Sequence, residues 1–195
     1  MTRLRRFSRL LGDQRGAAAI EFAVLAPVLV MLLLGLMDLA YQSYAKTVLE
    51  GALQKAGRDS GIEAANTTAI DNKVKASVLT VSKYATFEFE RKNYSTFAKI
   101  TPERFTDSNN NGVRNTGECF DDVNGNRVWD ADPGLAGQGN AGDVTLYTVT
   151  VTYPRLFPIS AMFGWPTTET TTASTLLKNQ PYATQSVPTL VSICT

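Results

Sequence analysis

The stretch RGAAAIEFAVLAPVLVMLLLGLMDLA, residues 15–40, decides how the rest of this 195-residue chain is read. Over residues 17–37 the single charge is Glu21. As an α-helix those 21 positions reach about 31 Å, close to the hydrocarbon thickness of a bilayer. Pro27 and Gly35 are poor choices in a soluble helix but are tolerated in membrane helices. A cleaved secretory signal has an apolar core of about 7–15 residues and a small-residue cleavage site. Here the apolar run from Phe22 to Met37 has 16 residues, and an acid precedes it. The segment reads as a retained transmembrane helix.

The flanks extend that reading in both directions. Residues 1–15 (MTRLRRFSRLLGDQR) carry Arg3, Arg5, Arg6, Arg9 and Arg15 against one acid, Asp13. Basic flanks stay on the cytoplasmic side, which predicts a single pass of the inner membrane with the C-terminal bulk in the periplasm or outside the cell. Beyond the span, Tyr41, Tyr44, Ala45, Val48, Leu49, Ala52, Leu53 and Ala56 recur at helical spacing among Gln42, Lys46, Glu50, Gln54 and Lys55. The span is therefore expected to continue as an amphipathic helix over residues 38–60, until Gly57 or Gly61 ends it.

Composition narrows the chemistry. The chain is 44% hydrophobic with net charge +1, enough for one compact domain plus an anchor and without the basic excess a nucleic-acid partner calls for. Histidine is absent, which excludes Ser-His-Asp and Cys-His catalysis, His-ligated zinc and the commonest general base. Glu88, Glu90 and Glu103 are carboxylates a hydrolase would need to pair, but Glu88 and Glu90 beside Arg91 read more simply as a solvated strand face. Cys119 and Cys194 lack CxxC spacing; in an extracytoplasmic setting they can pair or stay free, and spacing alone does not choose.

The residues Gly16-Ala-Ala-Ala-Ile-Glu21-Phe22, with Pro27 in the apolar run and Asp38 at its end, resemble the TadE-like minor pseudopilins of tight-adherence (Tad, or Flp-type) pilus systems. The resemblance covers about residues 15–58. It implies that a prepilin peptidase, an integral-membrane aspartic protease, cuts after Gly16 and discards residues 1–16 as a cytoplasmic leader. Ala17 then becomes the mature N-terminus and Glu21 its fifth residue, followed by Phe22. A carboxylate in lipid costs about 2.5–3.5 kcal/mol at mid-span, less near the interface, and so needs a partner. The resemblance implies that this partner is the freed α-amine of an adjacent pilin or pseudopilin, within a pilus assembly platform.

Residues 61–195 are expected to form an extracytoplasmic α+β domain. Residues 69–83 read as a short helix with Ile70, Val74, Val78 and Val81 on one face. Residues 85–94, 145–157 and 167–177 read as strands, with Pro154, Pro158 and Pro166 confining the last connection to a loop. A long helix covering three or four antiparallel strands resembles a pilin fold.

Within that domain, residues 105–134 repeat with a period of 15: Phe105 aligns with Phe120, Asp107 with Asp122, Asn109 with Asn124, Asn111 with Asn126 and Val113 with Val128. The first copy satisfies the whole D-x-[DN]-x-[DN]-G-x5-E calcium-loop pattern through Asp107, Asn109, Asn111, Gly112 and Glu118. Alternate side-chain oxygens converge on the ion, glycine permits the sharp turn, and the Val113 carbonyl and a bidentate acid complete the shell. In the second copy Arg127 replaces the glycine and Pro133 the closing acid, leaving Asp130 and Asp132 as substitute ligands. A cluster of Asn/Gly turns without an ion is the other reading of the same residues. No amphipathic helices flank the loops, so calcium is expected as a structural brace rather than a switch.

The expectation is a pilus assembly component without chemistry of its own. The alternative is a membrane-anchored calcium-binding adhesion domain that never enters a pilus.

Overall fold

The computed structural model describes residues 16–60, 66–157, 161, 164–181, 183, 185 and 189–194. The expected leader, apart from Gly16, lies outside them, as does Gly61. The chain divides into two compact units, Met1–Ser43 with Arg155–Thr167 and Tyr44–Pro154 with Thr168–Thr195.

Helix α1, Ala17–Ser60, has 44 residues and keeps Pro27 inside it. In the first unit it is a bare apolar rod: Phe22 is 70% exposed and Leu36 56%, and none of its most apolar 18-residue window is buried within the chain. It is long and apolar enough to cross a membrane. Where the apolar run ends, Asp38 accepts hydrogen bonds from Gln42 Nε2 (2.9 Å), Arg155 Nη1 (3.0 Å) and the Leu156 N–H (3.2 Å).

In the second unit the same helix becomes one-sided. Ala45, Leu49, Leu53 and Ala56 are buried at the three- and four-residue spacing that lines one helical face. Helix α2, Thr67–Leu79, buries Ile70, Val74 and Val78. It starts two residues earlier than its apolar periodicity suggests because Asn66 is an N-cap, its Oδ1 accepting the Ala69 N–H at 2.9 Å. It stops at Leu79, and Thr80 turns its hydroxyl back onto the Ser77 carbonyl (2.6 Å).

The strands are β1 (Thr86–Tyr94), β2 (Cys119–Asp122), β3 (Leu135–Ala136), β4 (Val144–Pro154), β5 (Thr168–Lys178) and β6 (Val191–Cys194). The main sheet has the order β3-β1-β4-β5, antiparallel throughout. In β4 Tyr147, Val149, Val151 and Tyr153 are buried at every second position, as a strand with one covered face requires. Phe89 pairs across to Val149 and Val149 to Ala173, which puts those side chains on that face. The opposite face is a threonine ladder, with Thr150–Thr172 (3.1 Å) and Thr152–Thr170 (2.9 Å) hydroxyl contacts. A second sheet pairs β2 with β6.

Asp71 on α2 ties helix to sheet: it takes both terminal nitrogens of Arg91 and the Tyr147 hydroxyl (2.6 Å), while the Arg91 guanidinium lies 4.1 Å from the Tyr147 ring centre. The architecture is the expected α+β, a long apolar helix with small antiparallel sheets. Strand β4 ends at Pro154, three residues short of the expected limit. Beyond it the Arg155 N–H turns to the Thr167 carbonyl (2.9 Å) and closes a loop.

Candidate functional site: two loops that exchange their closing acids

The repeat folds as two Asx-turn loops. In the first, residues 107–118, Asp107 accepts the Asn111 N–H (3.1 Å) and the Gly112 N–H (2.8 Å). Asn109 Oδ1 accepts the Asn111 N–H (3.1 Å) and Asn111 Oδ1 the Val113 N–H (2.8 Å). The second, residues 122–133, repeats the pattern fifteen residues on. Asp122 accepts the Arg127 N–H (2.9 Å), Asn124 Oδ1 the Asn126 N–H (3.0 Å) and Asn126 Oδ1 the Val128 N–H (2.7 Å).

Backbone shape is preserved as well. Asn110 and Gly112 have φ of 57° and 75°, and their counterparts Gly125 and Arg127 have 82° and 64°. Arg127, which replaces the expected glycine, therefore holds the left-handed turn despite a strain of roughly 1–2 kcal/mol. The segments leading into the loops pair antiparallel about Phe105 and Phe120. Thr106 N–H donates to the Cys119 carbonyl and Asp121 N–H to the Arg104 carbonyl, both at 2.8 Å. Each of these bonds is the other shifted by 15 residues, so a local twofold relates the two copies.

That twofold settles how each loop closes. Glu118 spans the first loop, Oε1 accepting the Ser108 N–H (2.9 Å) and Oε2 the Asn115 N–H (2.8 Å). In the second loop Glu103 does the same, Oε1 accepting the Val123 N–H (2.7 Å) and Oε2 the Asp130 N–H (3.0 Å). Glu103 is buried, held further by Trp129 Nε1 on its carbonyl (2.9 Å). Each copy thus carries its glutamate four residues ahead of its own loop and lends it to the other. Sequence reasoning missed Glu103 because the loop pattern seeks its acid downstream; the signal was the same 15-residue shift, which aligns Glu103 with Glu118.

The remaining candidate residues fall into place around this pair. Asp130 Oδ2 accepts the side-chain amides of Asn124 (2.8 Å) and Asn126 (2.6 Å). Asp132 is engaged elsewhere, by Lys92 Nζ (2.6 Å) and the Tyr94 hydroxyl (2.7 Å). Burial acts to raise the Asp132 pKa, but the hydrogen bonds from Lys92, Tyr94 and the Gly134 N–H outweigh it and hold the carboxyl below its usual range. The Val113 carbonyl accepts Asn115 Nδ2 (2.6 Å). Cys119 and Cys194, paired across β2 and β6, form a disulfide.

Glu103, Glu118 and Asp122 are 2%, 5% and 3% exposed. No ion pair among the described residues involves them or Asp107. Among the described residues no three His, Cys, Asp or Glu side chains gather as a metal-holding group. Asn109 and Asn111 in the first loop, and Asn124 and Asn126 in the second, add one amide oxygen each to the carboxylates.

In the first unit, Gly16 is exposed and directly precedes α1, with Glu21 and Phe22 exposed in its opening turns. A Cβ placed on Gly16 would meet nothing within 4 Å.

The family model for TadE-like protein matches residues 16–58. That match begins at Gly16 and ends inside α1, leaving the sheets, the disulfide and the paired loops outside it. No curated protein and no solved structure matches the chain.

Proposed function

We propose that this membrane-anchored chain with a TadE-like N-terminal segment is a minor pseudopilin of a tight-adherence pilus, cut after Gly16 by a prepilin peptidase. The observation that carries the reading is the coincidence at Gly16. The family match starts there, the helix starts at the next residue, and no packing among the described residues calls for glycine. A small residue there suits an enzyme that takes the chain in extended form. After the cut, Glu21 is the fifth residue of a helix with no other charge before Asp38, and an α-amine from a neighbouring pilin is the partner that offsets its burial in lipid. The arginine-rich flank favours a cytoplasmic N-terminus, and the Cys119–Cys194 disulfide favours an oxidising compartment for the bulk of the chain.

Sequencing the N-terminus of the mature protein tests this. A start at Ala17, abolished in Gly16→Val, is expected. A start at Met1 removes the pseudopilin reading and leaves a membrane-anchored adhesion domain.

The paired loops, in this reading, hold calcium as a brace. Glu103, Glu118 and Asp122 are nearly inaccessible and make no ion pair among the described residues, and their carboxylate oxygens together with the asparagine carbonyls are the hard donors calcium takes. With so few acids per loop, affinity is expected in the ~10⁻⁴–10⁻³ M range of extracellular modules. The closing ligands are Glu118 for the first loop and Glu103 for the second.

A further inference from the structure

Strand β5 is the last strand of the main sheet on one side, and its outer edge is open. The Asn179 N–H donates to the Asp143 carbonyl (2.8 Å) and the Arg155 N–H to the Thr167 carbonyl (2.9 Å), one bond at each end of the β4–β5 ladder. With Val144 opposite Lys178 and Pro154 opposite Thr168, those bonds put the odd-numbered residues of β5 in hydrogen-bonded pairs with β4. Opposed residues of an antiparallel ladder alternate between bonded and unbonded pairs. The even-numbered residues Thr170, Thr172, Ser174, Leu176 and Lys178 therefore turn their N–H and C=O groups outward. All five are exposed, and among the described residues no backbone group takes up that edge.

Proteins blunt such edges with proline, a charge in mid-strand, a bulge or short length. Residues 170–177, TTTASTLL, contain no charge, proline or glycine, and all eleven residues of β5 pair with β4 without a bulge.

The edge borders a groove with a charge of its own. Helix α1 packs so near β5 that a Cβ on Gly57 would lie 3.4 Å from Thr175 Cγ2. Beside that contact Gln54, Arg58, Leu176, Lys178 and Gln180 line an open groove of about 480 Å³, whose lining holds two cations and no acid. Elsewhere in this unit Lys46, Lys73, Arg91 and Lys92 each pair with a carboxylate, whereas Arg58 and Lys178 make no ion pair among the described residues. Arg58 Nε reaches only the Gln54 carbonyl of its own helix (3.5 Å), and the neighbouring Asp59 is taken by Lys73 Nζ (2.8 Å).

We infer that the outer edge of β5 takes an extended, acidic segment of a partner protein as an added strand, its backbone continuing the sheet and its carboxylates meeting Arg58 and Lys178. In this mode main-chain pairing supplies affinity and the flanking side chains select the partner. A second copy of β5 carries no acid between residues 170 and 178 to offset those cations. The inference depends neither on processing at Gly16 nor on calcium.

The test uses the full chain in detergent micelles and fluorescent peptides of about six residues, the usual length of a strand. One peptide alternates threonine and valine with aspartate and glutamate, one has lysine for each acid, and one is the acidic peptide N-methylated throughout. Polarisation should show saturable binding of the acidic peptide below about 1 mM, with the other two bound about tenfold more weakly or not at all. Arg58→Glu combined with Lys178→Glu should weaken the acidic peptide about tenfold. Ser174→Pro removes an outward N–H and no bond to β4, and should weaken it likewise, with the melting temperature reporting whether the sheet survives. Should that variant not fold, the N-methylated peptide still decides whether the edge is used. Absence of saturable binding by the acidic peptide overturns the proposal, as does equal binding of either of the other two. Dimers of the full chain that Ser174→Pro separates, without peptide binding, also overturn it, in favour of a second copy of this chain.

Discussion

Replacing Glu103 by glutamine separates an exchanged pair of loops from two independent ones. Without metal, the Glu103 carboxylate accepts the Val123 and Asp130 N–H groups at 2.7 and 3.0 Å with 2% of the residue exposed. Glutamine keeps one acceptor and turns an amide donor toward the other N–H, leaving one donor unsatisfied at about 1–3 kcal/mol. With calcium the loss is larger, because the second loop also loses its closing charge. Wild-type protein at calcium about 100 times the dissociation constant gains about 2.7 kcal/mol per site. That is on the order of 5–10 °C in melting temperature for a domain of this size. Calorimetry and calcium-dependent melting of the full chain in detergent micelles should therefore show two sites in the wild type. Glu118→Gln should lose the first and Glu103→Gln the second. Asp132→Asn is the control: its carboxylate is held by Lys92 and Tyr94, so both sites should remain. An unchanged isotherm for Glu103→Gln, or loss of a site in Asp132→Asn, refutes the exchange, and absence of heat in the wild type refutes the calcium brace.

Arg127→Gly should stabilise the chain by about 1 kcal/mol, since the native φ of 64° carries left-handed strain in arginine and little in glycine; denaturant midpoints decide it, and a destabilised variant would mean the arginine side chain matters more than its backbone. Asp71→Ala should cost about 3–5 kcal/mol because it strands Arg91, whose side chain is 11% exposed, together with the Tyr147 hydroxyl; a loss under 1 kcal/mol would show the network to be dispensable. The Tyr94 pKa is pushed up to about 12, first by burial and then by its hydrogen bond to Asp132. Because the folded value lies above the ordinary 10, this contribution to stability is complete below pH 10 and is lost as pH rises from 10 to 12. Lys92, raised first by its hydrogen bond to Asp132, adds to the loss on the same side, whereas Asp132, held low, adds stability that disappears as pH falls below the ordinary 3.8. Urea unfolding across alkaline pH should fall less steeply in Tyr94→Phe, and an identical profile would contradict the assignment.

Much of the fold was legible because its signals are local. The 16-residue apolar run from Phe22 to Met37, the 3.6-residue spacing of Leu49 and Leu53, and the alternation through Tyr147, Val149 and Val151 each depend on residues within a few places of one another. Elements with no such signal were not read. The two-residue strand β3 exists because β1 has an edge for it at Lys92 and Asn93. Strand β6 exists because β2, anchored by a disulfide, gives it a partner. The helix-to-loop pin fell between these cases: Asp38 stood out as an acid at the end of an apolar run, but Arg155 lies 117 residues away, and no periodicity links them.

Glu103 shows why a degraded motif is a poor guide to a degraded structure. A linear pattern assumes that a loop is closed by its own chain downstream, so Pro133 at the expected acid reads as a lesion. Once two copies face each other across the Phe105–Phe120 pairing, the glutamate ahead of each loop lies at the closing position of its neighbour, and no downstream acid is required in the second copy. The left-handed turn at Arg127 survives for a related reason: Asp122 accepts the Arg127 N–H, and the loop is tied again through Glu103, so the backbone is held at more points than one residue's preference can release. The exchange also makes the loops interdependent. Neither has a full set of acceptors unless the other's lead-in strand is paired, so an ion that orders one loop lowers the ordering cost of the other, and the coupling is reciprocal. In the proposed reading two weak sites of this kind respond to calcium together, which suits a brace on a segment that leaves Val113 64% and Val128 60% exposed.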